Sequence, residues 1–147
     1  MSIDILEMKK DQIKALLTLE ERCFSIPWTE NMFLEELENS LAKYVVIRSS
    51  GKIAGYGGMW FILDEAHITN IAIDPNYQKQ GFGSHILSYM IKEAEEHHIY
   101  KMTLEVRKSN KAALQLYKKF NFEEYGIRPR YYEDNQEDAI IMWRKKC

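Results

Sequence analysis

Thiols are nearly missing from this chain. Only Cys23 and Cys147 carry one, the second at the last position, and no Cys-x-x-Cys pair exists. That excludes a disulfide framework as the organising device and leaves no thiol-based metal or redox motif. The four histidines, His67, His85, His97 and His98, lack the i, i+4 spacing of a helical zinc site, so no metal is expected. An excess of one charge is missing too. Twenty basic residues stand against 22 acidic ones, a net charge of -2, and a broad basic footprint for nucleic acid is therefore not expected. Long apolar runs are absent. The first residues include Asp4 and Glu7 and read neither as a signal peptide nor as a membrane span, so no membrane partner and a cytoplasmic location are the expectation. No internal repeat, low-complexity tract or linker divides the sequence. With 46% hydrophobic residues, positions 1–147 read as one domain with a real core.

What the chain does have is alternating strand and helix periodicity. Residues 2–7 read as a short strand. Residues 10–24 carry Ile13, Leu16, Leu17 and Glu20 at helical spacing. Pro27-Trp28-Thr29 interrupts that helix, and Thr29 is placed to cap a second one with Phe33 and Leu37 on its buried face. Residues 44–48 and 53–63 read as strands joined by a turn at 49–52. Gly55, Gly57 and Gly58 within the second predict a bulge or the close approach of another backbone. A strand at 67–73 precedes a helix whose inner face is Ile86, Leu87, Met90, Ile91 and Ala94. Residues 100–106 alternate, with Met102, Leu104 and Val106 one way and Thr103 and Glu105 the other. A helix over 110–120 and strands at 122–127 and 139–143 complete the chain. Early hairpins and one strand–helix–strand crossover predict an α/β fold with a mixed, mostly antiparallel twisted sheet and helices on both faces.

The most informative stretch is Ile71-Ala72-Ile73-Asp74-Pro75-Asn76-Tyr77-Gln78-Lys79-Gln80-Gly81-Phe82-Gly83-Ser84. A strand runs through a glycine-punctuated loop into a helix, which exposes backbone N–H groups where the helix dipole favours an anion. A Walker loop requires Gly-x-x-x-x-Gly-Lys followed by Ser or Thr, and that string is absent. A dinucleotide fingerprint requires a third small residue where Ile86 stands. Gln78-Lys79-Gln80-Gly81-Phe82-Gly83 remains. It resembles the acyl-CoA pyrophosphate loop of the GCN5-related N-acetyltransferases, with Lys79 at a position usually held by Arg, keeping the charge without the fork geometry. The plain alternative is a glycine-rich turn entering a helix.

Further segments narrow the resemblance. Pro27-Trp28-Thr29, Leu63-Asp64-Glu65-Ala66, Asn70-Ile71-Ala72-Ile73-Asp74-Pro75, Leu104-Glu105-Val106-Arg107-Lys108-Ser109-Asn110, Ala113-Leu114-Gln115-Leu116-Tyr117 and Glu137-Asp138-Ala139-Ile140-Ile141-Met142 occur in that order. Together they are similar to the ribosomal-protein alanine N-acetyltransferase (RimI-like) branch, over nearly the whole chain. Asn121 departs from the glycine the family often has before Phe, but Asn also tolerates the left-handed conformation a helix stop needs.

The resemblance implies the GNAT fold in a single domain, and acetyl transfer from acetyl-CoA to the N-terminal alanine of a small-subunit ribosomal protein. An α-amine titrates near ~7.7–8.0 and a lysine near ~10.4, a difference of about 3.5 kcal/mol in the cost of the neutral nucleophile. A modest base therefore suffices for a chain terminus. The resemblance assigns that base to Glu105, working through water, and the acid that protonates the departing thiolate to Tyr117. The alternatives are a solvated strand glutamate and a core tyrosine. It has Ile71, Ala72 and Ile73 acting through their backbone on the pantetheine arm and the thioester carbonyl. Gln80, Gly81, Phe82, Gly83 and Ser84 form the pyrophosphate cradle with Lys79 adding charge, and Asn110 lies near the pantetheine. Asn110 reads equally as a helix cap. Tyr131 and Tyr132 are implied at the peptide entrance. Two other readings stay open: acetylation of a small amine or of other protein N-termini, and a non-catalytic CoA-binding module.

Overall fold

The computed structural model describes residues 2–145; Met1, Lys146 and Cys147, the last of them the second cysteine counted above, lie outside the described residues. Strands β1 (Ile3–Glu7), β2 (Ala42–Ser49), β3 (Lys52–Ile62), β4 (Glu65–Ile73), β5 (Lys101–Arg107), β6 (Glu123–Arg128) and β7 (Ala139–Lys145) form one seven-stranded sheet in the order β1-β2-β3-β4-β5-β7-β6. Every neighbouring pair is antiparallel except β4 and β5. Helices α1 (Ile13–Cys23), α2 (Glu30–Glu38), α3 (Phe82–Glu96) and α4 (Lys111–Lys119) cover the two faces.

Alternation along the strands sorts the core into two clusters, one per face. Tyr44, Val46 and Tyr56 pack with Leu16 and Leu19 of α1 and Phe33 of α2. Val45, Ile47 and Met59 pack with Ile86 and Met90 of α3 and with Leu114 and Tyr117 of α4. Thr29 caps α2 as its position predicts, accepting the Met32 N–H at 3.3 Å. Asn121 adopts φ 73°, the left-handed stop that ends α4. Thr103, which alternates with the apolar row of β5, is buried as well and donates its hydroxyl to the Met142 carbonyl at 2.8 Å.

Two departures from regular pairing shape the functional region. Gly58 pairs with Asn70 and Met59 with Ile68, so Thr69 is an extra residue in β4. A Cβ at Gly58 would lie 2.0 Å from Cε1 of Tyr44; the aromatic ring occupies the space of the missing side chain. The second departure is a split. β4 and β5 pair only over Glu65–His67 against Lys101–Thr103. Beyond that point the strands part, and a cleft opens between the C-terminal half of β4 and Leu104–Arg107 of β5.

Candidate active site

The glycine loop fills the turn between β4 and α3. The Asp74 carboxylate accepts the Asn76 N–H at 2.9 Å and pairs with Arg22 at 2.8 Å, fixing the chain as it leaves the strand. Gln78 donates its side-chain amide to the Ile73 carbonyl at 3.2 Å. Lys79 and Gly81 take φ 63° and 84°, and α3 begins at Phe82 with no capping side chain. The first helical bond is His85 N–H to the Gly81 carbonyl at 3.1 Å. The N–H groups of Phe82, Gly83 and Ser84 therefore precede it without intrahelical acceptors. Lys79 is exposed and, among the described residues, forms no ion pair. Open N–H groups, an aligned dipole and a free ammonium suit a pyrophosphate.

The cleft has a volume of about 710 Å³ and is lined from both sides of the split by Asn70, Ile71, Glu105, Asn110, Tyr117 and Tyr132 among others. Ala72, by contrast, is buried with its side chain in the α1/α2 cluster. Glu105 points out of the apolar row of β5, half-exposed, with Oε1 3.2 Å from Nε of Arg128 on β6. Tyr117 is packed in the α3/α4 cluster, its ring 5.6 Å from that of Phe122. Its hydroxyl has no protein partner among the described residues, yet no buried polar side-chain atom is left without one. The ring is core and the hydroxyl opens into the cleft. Burial, with the neighbouring Tyr132, pushes the phenol well above its ordinary range, so it stays protonated near neutrality. Asn110 caps α4, accepting the Ala113 N–H at 3.1 Å, and also borders the cleft.

The rim is built by the loop between β6 and β7. Arg107, two residues beyond Glu105, donates to Asp134 at 2.9 Å, to Asn135 at 3.2 Å and to Glu137 at 3.4 Å. Glu137 accepts the Ser109 N–H at 2.6 Å, and Asp134 accepts a hydrogen bond from Ser25 of the α1–α2 connection. The loop carrying Tyr131 and Tyr132 is thus tied to the end of β5 and to the opposite wall. Burial raises Tyr132 to about 12, against the pull of Arg107.

Sequence reasoning missed Glu20 as a site residue. It is fully buried, accepts the Trp28 N–H at 2.8 Å and the Tyr56 hydroxyl at 2.7 Å, and borders the cleft floor. Burial holds its carboxyl above the usual range. Its signal was a charged residue on the apolar face with Ile13 and Leu16. Arg107 and Arg128 carried no such signal, because their partners are set by the hairpin's fold.

A split mixed sheet, an open helix start that suits a pyrophosphate, and a carboxylate and a phenol lining one cleft are the parts an acyl-CoA-dependent acyltransferase needs. The description "Acetyltransferase (GNAT) family" matches residues 13–122. A Bacillus subtilis (strain 168) protein is 44% identical over 137 residues, 92% of this chain and 91% of its own length. The Escherichia coli (strain K12) protein named ribosomal protein bS18-alanine N-acetyltransferase is 37% identical over 140 residues, 94% of each chain. The crystal structure of the ribosomal-protein-S18-alanine N-acetyltransferase from Escherichia coli superposes with a TM-score of 0.91 at 36% identity, covering 98% of this chain and 94% of the other. The chain belongs to the GNAT acetyltransferase family, and acetyl-CoA is its cosubstrate.

Proposed function

We propose that this protein acetylates the α-amine of an N-terminal alanine on the small-subunit ribosomal protein bS18, in the cytoplasm where ribosomes are made. The observation that carries the reading is the likeness over nearly the full chain to proteins named for that reaction. The cleft supports it, since an exposed carboxylate and a protonated phenol line one opening.

On this reading the amine, bound beside the thioester in a ternary complex, attacks the carbonyl carbon. The C–N bond forms and the C–S bond breaks. Glu105 takes the amine proton through water, and Tyr117 gives its proton to the departing thiolate. Backbone N–H groups of Ile71–Ile73 on the parted edge of β4 steady the oxyanion. Gln80–Ser84 and Lys79 hold the pyrophosphate, Asn110 borders the pantetheine arm, and Tyr131 and Tyr132 flank the entering peptide.

The test is acetyl transfer to three acceptors: a peptide with the bS18 N-terminus, the same peptide Nα-blocked with a free lysine, and spermidine. Turnover confined to the first is expected. Preferential turnover of spermidine would overturn the reading.

A further inference from the structure

Behind the cleft floor a chain of hydrogen bonds has a definite polarity. The Tyr56 hydroxyl donates to Oε2 of Glu20 at 2.7 Å, and Nδ2 of Asn70 donates to the Tyr56 oxygen at 2.9 Å. The other oxygen of Glu20 accepts the Trp28 N–H at 2.8 Å. A hydroxyl donates one hydrogen bond, and here the Glu20 carboxylate accepts it. Tyr56 therefore offers Asn70 only an acceptor, and Asn70 must present its NH2 to Tyr56. Its carbonyl oxygen then points the other way. That oxygen has no partner among the described residues and is not sealed from solvent, and the cavity Asn70 borders is the cleft.

The bulge is what makes this arrangement. Ile68 belongs to the α3/α4 cluster and Ile71 packs against it, three positions apart where strict alternation would require two or four. Thr69 and Asn70 in between both reach tyrosine hydroxyls of the α1/α2 cluster, Thr69 that of Tyr44 at 2.9 Å.

We propose that Asn70 receives the substrate amine in the cleft, and that Glu20 and Tyr56 are positioning residues that hold its amide carbonyl-first. The inference rests on the proposed acetylation of an α-amine. A carbonyl oxygen accepts an N–H of the amine and leaves the nitrogen lone pair free to attack. The reversed amide would offer an N–H to that lone pair and quench the nucleophile. The polarity of the chain thus decides whether the site activates or blocks its substrate, through a carboxylate whose two oxygens already accept from Tyr56 and Trp28.

Glu20→Gln changes the polarity with almost no change in shape. The glutamine oxygen still accepts the Trp28 N–H, and its NH2 now faces the Tyr56 oxygen. The hydroxyl proton turns to Asn70, which flips to accept it. Glu20→Gln and Asn70→Ala should each lower kcat/KM for the alanine-led peptide about tenfold or more, the worth of one such bond. The KM for acetyl-CoA should stay within about twofold, and the double variant should be no worse than Asn70→Ala alone. Tyr56→Phe should show the same selective loss. Side-chain amide protons of Asn70 should exchange slowly in the wild-type protein and faster in Glu20→Gln. Equal exchange in the two, additive losses, or unchanged peptide kinetics in both single variants would overturn the proposal. A wild-type protein that acetylates no peptide would instead overturn the proposed function, while amide exchange still decides the orientation of Asn70.

Discussion

The guanidinium of Arg107 lies over the ring of Tyr132, 4.0 Å from its centroid, while one nitrogen holds Asp134 at 2.9 Å. One side chain thereby joins the strand that carries Glu105 to the loop that carries Tyr131 and Tyr132. Lysine can supply the charge but neither the flat stack nor the fork. Arg107→Lys should lower kcat/KM for a peptide about tenfold while leaving the KM for acetyl-CoA unchanged. Initial rates with each substrate varied in turn check this, and a parallel rise in both KM values would count against it.

On the proposed mechanism, Glu105→Gln should reduce kcat by about a hundredfold or more, the usual loss when a general base is removed. Tyr117→Phe should reduce it about ten- to a hundredfold. The two variants differ in a second respect. The Tyr117 hydroxyl has no protein partner among the described residues, so its removal should change unfolding stability by less than about 1 kcal/mol. Urea unfolding beside single-turnover rates separates a chemical role from a packing one.

Gly81 sits at φ 84° with nothing within 4 Å of where a Cβ would go. Substitution by alanine meets no neighbour and strains only the backbone, by about 1 kcal/mol. Gly81→Ala should therefore fold, with slightly lower stability, and the rise in Tm produced by saturating acetyl-CoA should shrink, because the N–H groups that begin α3 are re-aimed. Thermal unfolding with and without acetyl-CoA measures both effects.

Tyr44, Tyr56, Tyr117 and Tyr132 all ionise above their ordinary range in the folded chain, burial being the largest cause in each. A raised acid pKa favours folding fully below the unfolded value of about 10. That contribution is lost as pH rises above it, because the unfolded chain releases its protons first. Stability should fall steeply above about pH 10, by up to ~1.4 kcal/mol per pH unit for a deeply buried tyrosine such as Tyr56. Absorbance at alkaline pH should show these four tyrosines titrating only as the fold is lost. Smooth titration of all tyrosines in the native protein would contradict it.

Periodicity sufficed for the helices because each buries one face. The apolar row of α3, the Thr29 cap and the left-handed Asn121 are local facts of sequence. The bulge was half legible: glycines in β3 signalled an irregularity, and the spacing of Ile68 and Ile71 locates it in β4. The site itself divides in the same way. The glycine loop is contiguous and could be read as a motif. Glu105 could be aimed by alternation. The bonds of Arg107 to 134–137, of Arg128 to Glu105 and of Glu20 to Tyr56 join residues far apart in the chain, and no local pattern encodes them. Asn70 lies inside a motif, but its orientation depends on the hydrogen bond that Tyr56 donates to Glu20, fifty positions before Asn70.

The short parallel ladder between β4 and β5 makes the sheet two plates on a narrow hinge. β1 to β4 form one plate, and β5, β7 and β6 the other. Anything seated in the opening bears on both plates at once and works as a keystone. Occupancy should therefore register as stiffness far from the chemistry, at the outer strand β6 as much as at the loop, and the protein's mechanics would report whether it is loaded.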